Sequence, residues 1–149
     1  MTAVTLSQVL GLRLGGARPP TALMTEVEKG FPLTALDRVA HAVAPDDAAF
    51  PFRMVARATL ARRRKAEAME VGAAGGRLSA EESARVARLA EVWALACEVW
   101  GGEAAARAFL FRPHMLLDGR RPVDVVLANE FGRPLVEGIL GRLQYGSAV

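Results

Sequence analysis

Apolar residues recur three and four positions apart through most of the chain, which is the spacing of one face of an α-helix. The longest series starts at Ser79-Ala80-Glu81-Glu82, a capping box that marks the beginning of a helix, and continues to Trp100. Its apolar positions predict a seam that packs against other helices: Val86, Leu89, Trp93, Ala96 and Trp100. A last helix repeats the pattern near the end of the chain. We expect four of its residues to fill the protein's own core, the alternative being that this apolar helix plugs a pocket of another protein: Leu135, Val136, Ile139 and Leu140.

Shorter helices are predicted between the turn-forming residues of the remaining chain, around residues 22–29, 33–43, 58–67, 103–110 and 122–127. Another helix is predicted to start at Pro45 and to be short or kinked, because Pro51 lies within it. Alanine and leucine contribute most to a hydrophobic fraction of 52%, and both favour helices. Residues that favour strands are comparatively sparse. The sequence therefore predicts an all-α fold.

The tract from Gly72 to Arg77, which holds three glycines, is the clearest break in this pattern. It predicts four segments along the chain. They are an N-terminal extension of unassigned role at 1–29, a set of basic helices at 30–71, a glycine-rich linker at 72–77, and a second helical domain at 78–149.

Residues with the spacing that catalysis or metal binding requires are missing from the sequence. It has 149 residues, two histidines 73 positions apart and a single cysteine, Cys97, and it contains no phosphate- or dinucleotide-binding motif. No apolar run reaches the roughly 18 residues of a membrane span, and the first residues do not resemble a secretory signal. We therefore expect a cytoplasmic binding protein rather than an enzyme, without a catalytic residue, metal or cofactor.

The net charge of +3 is unevenly distributed along the chain. Residues 1–78 hold 11 basic against 7 acidic residues, whereas residues 79–149 hold 8 against 9. The cations between Arg53 and Lys65 in the first half form a candidate phosphate-binding surface, although a run of charged residues is more often simply solvated. The four consecutive cations from Arg62 to Lys65 would sweep about 300° around the axis of a helix, so they cannot all face one groove of DNA. The predicted DNA-binding residues are Arg53, Arg57, Thr59, Arg62, Arg63, Arg64 and Lys65.

Several motifs in order resemble the Xre-family antitoxins. The Ala58–Lys65 helix followed by Leu78–Leu89 resembles the junction between the two parts of these proteins. The segment Phe109–Pro122 and the ending Asn129–Gly146 resemble the Xre/MbcA/ParS toxin-binding domain. Within these segments four residues depart from the usual pattern: Phe109 replaces tryptophan, His114 asparagine, Asp118 glycine and Asn129 threonine.

The resemblance implies an antitoxin that binds and neutralises a RES-domain toxin encoded beside it. Such toxins consume NAD⁺, which would be the partner's substrate and not a cofactor of this chain. It also implies a Cro/repressor-like helix-turn-helix unit within 30–71 that binds operator DNA and represses the operon, and a homodimer within the complex. The open alternative is a stand-alone helix-turn-helix transcriptional regulator without a toxin partner.

The same resemblance assigns the toxin-binding residues to the second domain. Arg142, Tyr145 and the C-terminal tail are expected to reach the toxin's pocket. The full predicted set is Asp118, Arg120, Glu130, Arg133, Glu137, Arg142, Tyr145, Gly146, Ser147 and Val149.

Overall fold

The computed structural model describes residues 4–14, 20–69 and 76–146, and within these ranges it contains helices and no strand. The helices are α1 (Leu6–Leu10), α2 (Ala22–Lys29), α3 (Leu33–Val43), α4 (Arg57–Met69), α5 (Ala80–Trp100), α6 (Glu103–Phe111), α7 (Pro122–Ala128) and α8 (Gly132–Gln144). Two short 3₁₀ turns lie at Phe50–Arg53 and Met115–Leu117. The α-helix predicted from Pro45 is wrong, because residues 45–49 form turns and only the 3₁₀ turn that contains Pro51 follows them. The predicted all-α fold is confirmed, while the helix-turn-helix assignment stays a prediction. No helix in the described part of the chain is long and apolar enough to cross a membrane.

The chain divides into two compact units, and the division falls inside α5. The N-terminal unit is Ser7–Ala87, and the C-terminal unit consists of Arg88 onward together with the first six residues. Most of the glycine tract at 72–77 lies outside the described residues. The assignment of that tract as a linker between two domains therefore stays a prediction.

The N-terminal unit is built around Phe31, which is fully buried. The backbone on either side of this residue is bound to the start of α5, because the Phe31 carbonyl accepts a 2.9 Å bond from the Leu78 N–H. Its own N–H donates 2.8 Å to the hydroxyl of Ser83, which is also buried. The predicted capping box is confirmed, with Ser79 and Glu82 each accepting from the other's backbone N–H. The beginning of α5 is thus part of the N-terminal unit's core.

Replacing Ser83 with alanine is expected to destabilise the protein by about 1–3 kcal/mol, since the buried N–H of Phe31 would lose its acceptor. The free energy of unfolding measured in urea gives this difference directly. Thr25→Ala is the matched control, because the Thr25 hydroxyl bond is exposed and its loss should cost less than about 0.5 kcal/mol. Equal stabilities of the two variants would contradict the assigned role of Ser83.

Candidate functional site

Helix α8 is anchored in the C-terminal unit along one face. Val136, Ile139 and Leu140 are buried on that face, as the sequence predicted. Gly132 at the start of the helix is also buried, and a Cβ atom there would overlap the carbonyl oxygen of Val125 in α7. The close packing of α7 on α8 therefore requires a residue without a side chain at position 132. Leu135 departs from the prediction, because it is 59% exposed and does not enter the core.

The face of α8 that points away from this core is an exposed stripe of mixed chemistry. Its members are spaced four, three, four and three residues apart, which places them in one line about 21 Å long. We call this line the α8 outer face: Phe131, Leu135, Gly138, Arg142 and Tyr145. Phe131 and Tyr145 at its ends are 75% and 82% exposed. Exposed aromatic and aliphatic side chains grouped on one helix are typical of a protein-binding surface.

The centre of the α8 outer face is bare backbone. No atom lies within 4 Å of the position that a Cβ of Gly138 would occupy, so the missing side chain leaves open space above the helix. Small residues at such positions let another chain approach the helix closely. At one end, the Asn129 carboxamide oxygen accepts a 2.9 Å bond from the Phe131 N–H and fixes the turn that presents the phenyl ring. The surface thus combines a recess with flanking side chains that a partner can contact.

The predicted toxin-binding residues at the end of the chain lie on or beside this face. Arg142 and Tyr145 belong to it, and Gly146 follows with a φ of +70°. Glu130 is exposed immediately before Phe131. Ser147 and Val149 lie outside the described residues.

Arg133 and Glu137, which were also predicted to contact the toxin, form ion pairs within the C-terminal unit. The Arg133 guanidinium lies 2.8 Å from Glu91 Oε1 on α5 and 3.0 Å from Glu137 Oε1 one turn along α8. Burial raises the pKa of the Glu137 carboxyl, the charge of Arg133 lowers it, and nearby Glu91 raises it again. This half-buried network connects α8 to α5, so the geometry gives the pair a positioning role. Direct contact with a toxin stays a prediction for both residues.

Asp118 and Arg120 are exposed in a loop that His114 organises. The His114 Nδ1 accepts a 3.1 Å bond from the Leu116 N–H and caps the 3₁₀ turn. The backbone of His114 bonds both to Gly119 and to Arg120, each at 3.0 Å. Asp118 has a φ of +55°, in the left-handed region, which explains physically why glycine is usual at this position of the motif.

We expect His114→Ala to lower the free energy of unfolding by about 1 kcal/mol, because the 3₁₀ turn loses its side-chain acceptor. His114→Asn is the matched variant, since an asparagine oxygen can accept the same backbone N–H, and it should retain most of the stability. Chemical denaturation of the three proteins measures the difference. If alanine and asparagine prove equivalent, the histidine does not act as a cap.

A second apolar feature of the C-terminal unit is a groove of about 270 Å³ lined by Trp100, Phe109 and Leu143. The rings of Trp100 and Phe109 lie 5.8 Å apart. Trp100 is 43% exposed, so the predicted seam of α5 holds for its four earlier members and ends before this residue. Nearby Cys97 is buried, and its burial raises the thiol pKa to about 11, so the sulfur stays protonated at neutral pH.

The predicted DNA-binding residues are separated into different environments in the N-terminal unit. Arg63 forms an ion pair with Glu82, and Arg64 with Asp37. Arg57 stacks its guanidinium 3.9 Å from the centre of the Phe52 ring, and Arg53 lies 5.8 Å from that of Phe50. The remaining members are on α4, where Thr59 is half-exposed and Arg62 and Lys65 are exposed. Four of the six cations therefore already have a carboxylate or aromatic partner within the N-terminal unit.

Three members of the α8 outer face were not predicted from the sequence: Phe131, Leu135 and Gly138. The signal that identifies them is the spacing itself, because the series begins one residue before the helix and runs to Tyr145. The prediction that Leu135 is a core residue interrupted this series between Phe131 and Gly138.

Comparison with known proteins identifies the part of the chain that contains this face. Residues 95–146, about a third of the chain, match the family model described as the antitoxin Xre/MbcA/ParS C-terminal toxin-binding domain. No curated protein matches the chain. The whole α8 outer face and the His114 loop lie inside the matched range. Residues 95–146 thus belong to the Xre/MbcA/ParS family of antitoxin toxin-binding domains.

Proposed function

We propose that the protein is the antitoxin of a type II toxin–antitoxin pair and that it neutralises a RES-domain toxin. The observation that carries this proposal is the exposed α8 outer face within a domain of toxin-binding type. The RES class of the toxin is taken from the motifs of Phe109–Pro122 and Asn129–Gly146. In this function the chain performs no reaction itself and acts by occupying the toxin.

The chemistry of the outer face suits the obstruction of another protein's pocket. Aromatic side chains supply large contact areas with few rotatable bonds, and tyrosine and arginine are enriched among residues that dominate binding energy. Phe131 and Tyr145 would act as apolar anchors at the two ends, while Arg142 adds a charged donor between them. Seated at the entrance of the toxin's pocket, this surface would exclude the substrate NAD⁺.

The direct test expresses the gene adjacent to this one in a host cell, alone and together with this chain. Growth arrest and depletion of NAD⁺ are expected with the neighbour alone, and both should disappear on co-expression. Growth arrest that persists unchanged on co-expression would reject neutralisation. A neighbour without a RES domain that is nevertheless neutralised would keep the antitoxin function and reject only the toxin class.

A second proposed activity is repression of the operon by the N-terminal unit, which is supported by the exposed cations of α4. The alternative function is a stand-alone transcriptional regulator, in which this unit binds DNA and no toxin is involved. A mobility-shift assay with the DNA upstream of the gene, combined with the co-expression test, distinguishes the antitoxin from the stand-alone regulator. The proposed antitoxin binds that DNA and also neutralises its neighbour, whereas a stand-alone regulator only binds DNA. A homodimer in the cytoplasm is part of the proposal, and analytical ultracentrifugation measures the dimer.

A further inference from the structure

Helix α4 is held in the N-terminal unit by unusually little apolar contact. It has 13 residues, and Leu60 is its only buried side chain. Positions three and four residues after Leu60 lie on the same side of the helix, one on each flank of the leucine. Arg63 and Arg64 occupy these positions. Arg63 is therefore largely covered by the N-terminal unit, with 16% of its side chain exposed, whereas Arg64 lies at the edge of this side and is 44% exposed.

Both of these arginines are bound to carboxylates of neighbouring helices. The Arg63 guanidinium contacts Glu82 at the start of α5, and the same carboxylate accepts a 2.8 Å bond from the Ser79 N–H. The Arg64 guanidinium makes two parallel bonds to Asp37 on α3, at 2.8 and 3.1 Å. The hydrogen bond to Asp37 raises the pKa of Arg64. The bidentate Arg64–Asp37 pair fixes the orientation of both partners. Together with the Arg63–Glu82 pair it clamps α4 to α3 on one flank and to α5 on the other.

The opposite face of α4 has a different composition. Ala58, Ala61, Arg62 and Lys65 share that face, and all four are exposed. Neither Arg62 nor Lys65 has a hydrogen-bond or ion-pair partner among residues 4–14, 20–69 and 76–146. The side chains of Ala58 and Ala61 are short, so a bulky polyanion can approach the helix backbone. The longer side chains of Arg62 and Lys65 can then contact its phosphates.

We infer that duplex DNA contacts α4 through the phosphate-binding side chains of Arg62 and Lys65, and that Arg63 and Arg64 instead fix the helix in position. This inference rests on the proposed DNA binding and assigns its residues. It divides four consecutive cations into two pairs with different roles. Charge alone does not distinguish them, because all four carry one positive charge.

The test uses the full-length protein, a 30-base-pair duplex from the DNA upstream of the gene, and four variants that each remove one charge. Arg62→Gln and Lys65→Gln are each expected to weaken binding roughly fivefold to tenfold at 0.1 M salt and to reduce the salt slope by about one. Their Tm values should equal that of the wild type. Arg63→Gln should lower Tm by a few degrees, and Arg64→Gln should lower it by less, because Arg64 and Asp37 are both nearly half exposed. Both variants should leave the salt slope unchanged.

A charge swap provides the decisive control. Combining Arg64→Asp with Asp37→Arg rebuilds the ion pair in the opposite direction, so the Tm and the DNA affinity of this protein should both be close to those of the wild type. A DNA affinity well below that of the wild type, in a swapped protein with the wild-type Tm, would show that DNA needs a cation at position 64 and would overturn the inference. Equal losses of salt slope in all four single variants would overturn it as well. If the wild type binds no duplex at all, the proposed repressor function fails, and the Tm values still report whether Arg63 and Arg64 clamp the helix.

Discussion

Replacing Leu135 with aspartate should weaken binding of the toxin by at least a hundredfold while the protein keeps its fold. Leu135 lies one turn from Gly138, the centre of the α8 outer face, where a partner's surface would remove it from water. A carboxylate buried there without a cation loses its hydration, which costs several kcal/mol, and each kcal/mol lowers the affinity about fivefold. Isothermal titration of the purified toxin with wild type and variant measures the difference. Neutralisation in the co-expression assay should fail in parallel.

Met24 provides the control for this substitution. It is 60% exposed, close to the exposure of Leu135, and it lies on α2 in the N-terminal unit. Met24→Asp therefore adds the same charge at an equally exposed apolar position and leaves every residue of the α8 outer face unchanged. It should bind the toxin like the wild type. If Leu135→Asp binds normally, or if both variants fail equally, the α8 outer face is not the toxin-binding surface.

The helices of this protein could be predicted because the spacing of its apolar residues and the residues that begin or end helices indicate the same helix boundaries. The capping box at Ser79–Glu82 and the double glycine after Trp100 bound α5 where the structure places it. The last helix was also predicted from its apolar residues, Leu135 to Leu140, although α8 begins earlier than these residues indicate, at Gly132. Local signals of this kind depend on neighbouring residues only, so one sequence is enough to find them.

Which residue of a helix becomes buried depends on contacts that are distant in sequence. Leu135 and Val136 are adjacent and both apolar, and only Val136 enters the core, because Gly132 and the α7 backbone fix the rotation of α8. The basic run has the same ambiguity. Arg62 and Arg63 are equivalent in the sequence, and only the position of Glu82 nineteen residues away separates the exposed cation from the paired one.

The same limit applies to the predicted toxin-binding residues. The motifs place Arg133 and Arg142 in one segment, whereas in the structure Arg133 is paired with Glu91 and Arg142 faces outward. The resemblance of the motifs identifies the segment of the chain that binds a partner. The rotation of the helix then decides which residues of that segment stabilise the domain and which ones a partner can contact. The function of the segment was therefore easier to predict than the function of its individual side chains.

Two glycines of α8 should respond in opposite ways to the same substitution. Gly132→Ala forces a methyl group against the Val125 carbonyl, a backbone atom that cannot move without displacing α7, so we expect a loss of about 3 kcal/mol and a fall in Tm of roughly 10 °C. At Gly138 the added methyl meets open space, and alanine is favoured over glycine inside a helix by about 1 kcal/mol, so Tm should rise. Calorimetric scans of the two variants beside the wild type measure both shifts. Because Gly138 is the recess of the outer face, its more stable alanine variant should nevertheless bind the toxin more weakly than the wild type does. Equal Tm values for the two variants would contradict the packing of α8 on α7 from which the outer face was derived.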